Sequence, residues 1–178
     1  MGLTNDTEQD YLNVIEKAGS QLVALDLAES TFSGEGLVGL DINLPMLEKL
    51  TLGGNPYLTI EGVRELLTRC SATLKDLNFN GTDMSGEGLE NVPVLKLEKL
   101  NLAFSKVSNT GLQQLLAKCS ATLKDINLSG TDISGEGLEN VPVLKLEKLD
   151  LQESLVSNTG LQQFLAKCSA TLKDLNLN

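Results

Sequence analysis

Two kinds of residue cluster in this sequence could carry chemistry: an acidic, glycine-rich segment that occurs twice, and a set of evenly spaced cysteines. The acidic segments are Asp83-x-Ser85-x-Glu87-Gly88 and Asp132-x-Ser134-x-Glu136-Gly137. Oxygen side chains at alternate positions open a calcium loop, which closes on a bidentate acid at the twelfth position. That position falls at Val94 and Val143, which have no side-chain oxygen. No metal site is expected. The glycines from Gly81 to Gly88 suggest a phosphate loop, but such loops need Gly-Lys-Ser/Thr or G-x-G-x-x-G. Neither occurs here, and Glu87 would repel phosphate. Tight turns account for these glycines. Histidine, the commonest general base and metal ligand, is absent. The reading is therefore of a protein that is not an enzyme and carries no cofactor.

Cys70, Cys119 and Cys168 are spaced 49 residues apart both times. They share one place in a repeating unit, as the register below makes plain. Equivalent positions two layers apart lie at least ~10 Å apart, since each strand adds ~4.8 Å. A disulfide needs Cα atoms within ~7 Å, and a zinc site fails on the same geometry. Free, buried thiols are expected.

Those positions are set by an internal duplication. Leu74–Thr122 and Leu123–Thr171 align without a gap and differ at nine positions. Within each block the pattern L-x-x-L-x-L recurs, and over the chain it starts at Leu22, Leu47, Leu74, Leu97, Leu123, Leu146 and Leu172. In Leu97-Glu98-Lys99-Leu100-Asn101-Leu102, Leu100 and Leu102 point to one side of a strand while Lys99 and Asn101 point to the other. One strand cannot bury its leucines alone, but stacked parallel copies can. The return path has two forms. Ser108 is a candidate N-cap, and Leu112, Leu115, Leu116 and Cys119 follow the spacing of one helix face. Helices are expected over about 109–118 and 158–167. The shorter units hold only Gly-Glu-Gly-Leu-Glu-Asn-Val before Pro93 or Pro142. A single turn or 3₁₀ piece is expected there.

The seven copies resemble leucine-rich repeats, which read L-x-x-L-x-L-x-x-N/C-x-L. The cysteine in LLTRCSATL and LLAKCSATL, with the Gly-Leu helix start, resembles the cysteine-containing repeats of F-box substrate-recognition proteins and the ribonuclease-inhibitor-like types. No F-box is present. The resemblance implies an α/β, right-handed solenoid shaped like a horseshoe, with a parallel sheet on the concave face and helices and short turns on the convex face. The family's ninth position, often Asn or Cys, holds Ser30, Asn55, Thr82, Ser105, Thr131 and Ser154. A hydroxyl there can still satisfy backbone groups at the turn.

Residues 1–21 are expected to form a capping helix, with Tyr11, Leu12, Ile15 and Ala18 at helical spacing behind Asp6 or Thr7. Residues 22–178 form the repeat domain. The last strand ends at Leu175-Asn176-Leu177-Asn178 without the polar cap a terminal layer normally carries. A monomer with possible self-association at that edge is expected.

The strands carry three polar columns. Glu48, Lys75, Glu98, Lys124, Glu147 and Lys173 alternate in sign, as do Lys49, Asp76, Lys99, Asp125, Lys148 and Asp174. Both read as charge ladders that fix strand order, worth roughly 0.2–1 kcal/mol per pair. The third column, Asp26, Thr51, Asn78, Asn101, Asn127, Asp150 and Asn176, is expected to line the concave face. Asparagines stacked in this way can also hydrogen-bond along the sheet.

Four of the nine block differences cluster beside the second strand: Asn101/Asp150, Ala103/Gln152, Phe104/Glu153 and Lys106/Leu155. Change on an exposed face over a fixed scaffold suits recognition, although exposed positions also tolerate drift. The candidate contact residues are Asn78, Asn80, Asn101, Ala103, Phe104, Lys106, Asn127, Asp150, Gln152, Glu153 and Leu155. Phe104 is expected to be their energetic centre, because aromatics anchor hot spots.

The net charge of −10 disfavours nucleic acid and anionic membranes as partners. No apolar run reaches the ~18–20 residues of a membrane span. The segment from Met1 to Ala18 is too polar for a signal peptide, which points to the cytoplasm. The sequons at Asn5, Asn80 and Asn127 leave an extracellular home open. The function expected is a scaffold that binds a protein partner on its concave face. The alternative is a structural or engineered repeat fragment with no ligand of its own, which the near-identity of the blocks also fits.

Overall fold

A computed structural model describes residues 7–168 and 170–178. The sequon at Asn5 and the alternative cap Asp6 lie outside the described residues. The described chain forms one seven-stranded sheet, β1 to β7 in sequence order, every neighbour parallel. The strands are Ala24–Asp26, Lys49–Thr51, Asp76–Asn78, Lys99–Asn101, Asp125–Asn127, Lys148–Asp150 and Asp174–Asn176. The register keeps each repeat position over its counterpart: Leu50 pairs with Leu77, Leu77 with Leu100, Leu100 with Ile126 and Ile126 with Leu149. The leucines thus stack into one continuous buried column, as the sequence period requires.

Helices alternate with short connections. After α1 (Glu8–Ala18), the longer layers carry α2 (Ile60–Cys70), α3 (Asn109–Cys119) and α4 (Asn158–Cys168). The last two begin where the sequence places them and end one residue later than expected. Each is capped as its sequence allows. Ser108 Oγ accepts from Gly111 N at 3.0 Å, and Ser157 Oγ accepts from Gly160 N at 2.9 Å. The short layers carry a 3₁₀ turn at Glu35–Leu37 and at Leu138–Asn140. In the layer between, residues 88–92 make turns with no 3₁₀ helix.

The two kinds of layer are locked by glycine at close approach. A side chain on Gly111 would place its Cβ within 1.9 Å of the Ser85 carbonyl oxygen, and on Gly160 within 2.0 Å of that of Ser134. The helix start therefore rests directly on the backbone of the preceding short turn. Ser108 N and Ser157 N each donate to those same carbonyls at 3.0 Å.

At the N-terminal end, α1 packs Leu12 and Ile15 into the core. Its cap is Thr7, whose backbone N–H and hydroxyl both donate to Asp10 Oδ2. Those bonds hold the Asp10 carboxyl below its usual range. Tyr11 meets Phe32 edge-on with ring centroids 6.1 Å apart.

Cys70, Cys119 and Cys168 are free and buried, each donating its thiol to the carbonyl four residues earlier. Burial pushes the thiols of Cys70 and Cys119 up to about 12. Among the described residues, no helix is long and apolar enough to cross a membrane.

Candidate binding surface

The outward strand positions form a shallow groove of about 320 Å³ along the sheet face, lined among others by Lys49, Asp76, Asn78, Lys99, Asn101 and Asp125. Asn127, Lys148 and Asp150 continue it. Four of the expected contact residues, Asn78, Asn101, Asn127 and Asp150, therefore come together in one place. The Lys/Asp column shares this groove. Its alternating signs read in the sequence as a ladder, although the alternation that turns Asn101 outward turns Lys99 outward too. As a ladder it closes only in part. Lys49 lies 3.8 Å from Asp76 and Lys148 lies 3.6 Å from Asp174. In the neighbouring Glu/Lys column, Lys75–Glu48, Lys124–Glu98 and Lys173–Glu147 close at 2.7, 2.8 and 2.7 Å. Hydrogen bonding and charge from these lysines hold Glu98 and Glu147 below the usual carboxylate range, and Glu98 raises Lys124 in turn.

The asparagine column has a structural duty. Oδ1 of Asn78, Asn101, Asn127 and Asp150 accepts the backbone N–H two residues on, at 2.9 to 3.0 Å. Asp26 and Asn176 do the same at the two ends of the sheet. Each side chain thereby turns the chain out of its strand. The expected asparagine-to-asparagine ladder is not the main use of these groups. Among the described residues, none meets the amide nitrogens of Asn78, Asn101 and Asn127 in a hydrogen bond.

Beyond the strand, the ninth-position hydroxyls complete the turn. Thr82, Ser105, Thr131 and Ser154 each donate to the carbonyl three residues back, at 2.6 to 2.9 Å. Asn55 donates to the carbonyls of both Leu27 and Leu52.

The remaining expected contact residues lie on the rim of the groove, where the chain leaves the sheet. Phe104 is 63% exposed, and Leu155 is 66% exposed. Gln152, Glu153 and Lys106 are also exposed, and Asn80 is half-buried. Lys106 is held by Asp83 at 2.8 Å. Ala103 is the exception: at 5% exposed it is buried and offers no surface. Its place beside the outward Asn101 suggested a facing methyl, but the Asn101 turn directs it into the wall.

Phe104 has a feature the sequence reading missed. Its φ is +54°, in the left-handed region, as are Glu29 at +52° and Glu153 at +55°. The same turn position in the other layers is Gly54, Gly81 and Gly130, with φ of +66°, +62° and +62°. One column of the solenoid is thus left-handed throughout, and three layers fill it with a residue that resists that conformation. The ring of Phe104 lies against Gly130, where a Cβ would come within 2.3 Å of it. Reading the column Glu-Gly-Gly-Phe-Gly-Glu down the repeat would have exposed this signal.

Residues 70–92 and 119–141 match the family described as Leucine Rich repeat. No curated protein matches the chain. Leucine-rich repeats are generally protein-interaction modules. With two matched segments and seven strands stacked in unbroken parallel register, the chain is a leucine-rich-repeat solenoid.

Proposed function

We propose that the chain is a recognition scaffold that grips a protein partner along the groove and its Phe104 rim. The observation that carries this reading is Phe104 itself: a largely exposed aromatic in a left-handed turn where neighbouring layers use glycine. Such a backbone costs about 1–3 kcal/mol and is retained where surroundings or function demand the side chain. A ring with few rotamers is a good anchor. The block differences at Phe104/Glu153 and Lys106/Leu155 change the rim's chemistry while the leucines beneath stay apolar. A partner spanning both blocks would present an apolar group near Phe104 and a basic group about two layers away, opposite Glu153.

In this reading residues 1–21 cap the repeat domain of residues 22–178, and the repeats are of the cysteine-containing, ribonuclease-inhibitor-like type. The protein works as a monomer in the cytoplasm, catalyses nothing, and does not use nucleic acid as its main partner. The excess of acid over base supports the last point. A second reading, a structural or engineered repeat fragment with no ligand, is favoured by the near-identity of the two blocks.

The test is a selection from a displayed library of protein fragments against the immobilised chain. Each binder is then measured on Phe104→Gly, Lys99→Glu and, as a convex control, Gln113→Ala. Loss of more than tenfold on the first two but not the third is expected. Binders that respond only to the convex control would overturn the groove reading, and the absence of any binder would favour the second.

A further inference from the structure

The floor of the groove carries its charges in an order that a partner has to match. Lys49, Lys99 and Lys148 alternate along the sheet with Asp76, Asp125 and Asp174, each residue paired in register with its opposite in the next strand. The column is neutral as a whole, in a chain whose net charge is −10. It offers no field of one sign that would gather a polyanion or a polycation. What it offers is an order of signs that repeats every two layers, or about 9.6 Å at ~4.8 Å per strand.

The column is also held open. The Glu/Lys column beside it has the same alternation, and closes into pairs at 2.7 and 2.8 Å. In the groove, Lys49–Asp76 and Lys148–Asp174 stay at 3.8 and 3.6 Å. Between them, among the described residues, Lys99 and Asp125 close no ion pair. The difference lies in the acid. Glu48, Glu98 and Glu147 serve the closed column, whereas every acid of the groove column is an aspartate, one methylene shorter. With the backbone spacing fixed by the sheet, the shorter arm leaves its carboxylate short of the lysine in the next layer. Lys99 is exposed and Asp125 is half-buried, and both line the groove. Strand order does not need them open, because the leucine register and the closed column already set it.

A helix lying along the groove matches this spacing, and an extended chain does not. Residues i+3, i+7 and i+10 of a helix lie about 4.5, 10.5 and 15 Å from residue i along the axis. The layers lie at about 4.8, 9.6 and 14.4 Å. Residues on one face of an extended strand recur about every 6.8 Å, which misses each of the first two layers by about 2–3 Å. Opposite charges three or four residues apart also support a helix before it binds. We infer that the groove takes an α-helix of a partner protein whose facing positions i, i+3, i+7 and i+10 alternate in charge, with bases over Asp76 and Asp125 and acids over Lys99 and Lys148. This inference rests on the recognition role proposed for the groove. The Phe104 rim then runs along the flank of that helix and seats an apolar residue on it.

The probe is a displayed library of single helices of about 24 residues, long enough at 1.5 Å per residue to span the sheet. Positions i, i+3, i+7 and i+10 of one face are each drawn from Glu, Lys and Ala, and the flanking positions are random. The library is selected against the wild-type chain and against a chain with the groove column exchanged: Lys49→Asp, Asp76→Lys, Lys99→Asp, Asp125→Lys, Lys148→Asp and Asp174→Lys. The exchange keeps the net charge and every opposite-sign neighbour. Enriched helices should alternate in sign, in opposite phase for the two targets. Each should bind its own target more than tenfold more tightly, because on the other like charges face each other. Exchanging the Glu/Lys column instead should leave affinity nearly unchanged. If the exchanged chain does not fold, Lys99→Ala with Asp125→Ala removes the open pair alone and should weaken the wild-type helices severalfold. The inference is overturned if the library yields helices of one sign, uncharged helices or none, or helices that do not distinguish the targets. Binders from the fragment selection that lose affinity on Phe104→Gly but not on the exchange keep the recognition role and overturn the helix register. Those that respond to the exchange but carry proline inside the contact segment assign the groove to an extended chain and overturn it too. Binders indifferent to both changes remove the groove reading, and this inference with it.

Discussion

Replacing Phe104 by glycine and by alanine separates the backbone's demand from the ring's. The left-handed φ of +54° costs an L-residue roughly 1–2 kcal/mol, and glycine removes that cost. Against it stand two losses. Glycine has more freedom in the unfolded chain, worth about 0.4–1 kcal/mol. The ring also covers some surface against Gly130. With 63% exposure, a little over a third is hidden, or about 75 Å² of a side chain burying up to roughly 200 Å². At about 25 cal/mol/Å² that is about 1.9 kcal/mol, an upper bound because unfolded chains already bury some surface. The terms nearly cancel for glycine, so Phe104→Gly should lie within about 1 kcal/mol of the wild type. Alanine loses the ring contact and keeps the strained φ. Phe104→Ala should therefore be less stable than Phe104→Gly by about 1 kcal/mol, or 2–4 °C in melting temperature. Urea and thermal unfolding of the two variants, with Glu153→Gly and Glu153→Ala beside them, give the answer. Alanine at least as stable as glycine would refute the left-handed column. A loss above 3 kcal/mol in both Phe104 variants would make the ring a core residue.

Three further outcomes follow from the same packing. Thiol reagents should label the native chain slowly, with Cys119 the slowest and Cys168 the first to react, because Leu161 and Leu165 on α4 are only half-buried whereas Leu112 and Leu116 on α3 are fully buried; labelling kinetics followed by peptide mapping checks the order. Thr131→Val removes the hydroxyl that meets the Leu128 carbonyl at 2.6 Å in a buried turn, and should cost about 1–3 kcal/mol by urea unfolding. Glu98 and Glu147 have lowered folded values relative to the ordinary 4.5, so their contribution is present above that pH and is lost as pH falls through the lowered value. Glu98→Gln together with Glu147→Gln should flatten that acid limb, and added salt should weaken the contribution because the pairs are exposed.

The leucine register, the alternation of long and short layers, the helix positions and the state of the cysteines were all legible in the sequence. Each rests on spacing, and spacing is what a repeat states most plainly. The outward residues of the groove were half legible. Asn101 and Lys99 flank the same buried Leu100, yet the sign alternation of Lys99 drew attention to its neighbours rather than its direction. The rim was the least legible part. Whether Ala103 faces solvent depends on the turn that Asn101 imposes through Ala103 N, a local hydrogen bond with no periodic signature. The left-handed column is hidden because only half of its members are glycine.

The double use of the asparagine column explains where variation can fall. A residue at this place that accepts the backbone N–H two positions on must offer one side-chain oxygen, and the six that do so are Asn or Asp, Thr51 being the exception. The block difference Asn101/Asp150 obeys that limit: Asp150 Oδ1 still accepts from Gln152 N at 3.0 Å, and the groove gains a charge while the turn survives. The rim is under a looser constraint. Positions 104 and 153 need only tolerate a positive φ, and 106 and 155 need only reach solvent. Aromatic, acidic, basic and aliphatic side chains all occur there on the same scaffold. Hydrogen-bonding duty falls on the groove floor and chemical diversity on its rim. Under the proposed recognition role, specificity between partners should therefore be set at Phe104, Lys106, Glu153 and Leu155, with the carboxamides beneath supplying contacts common to all of them.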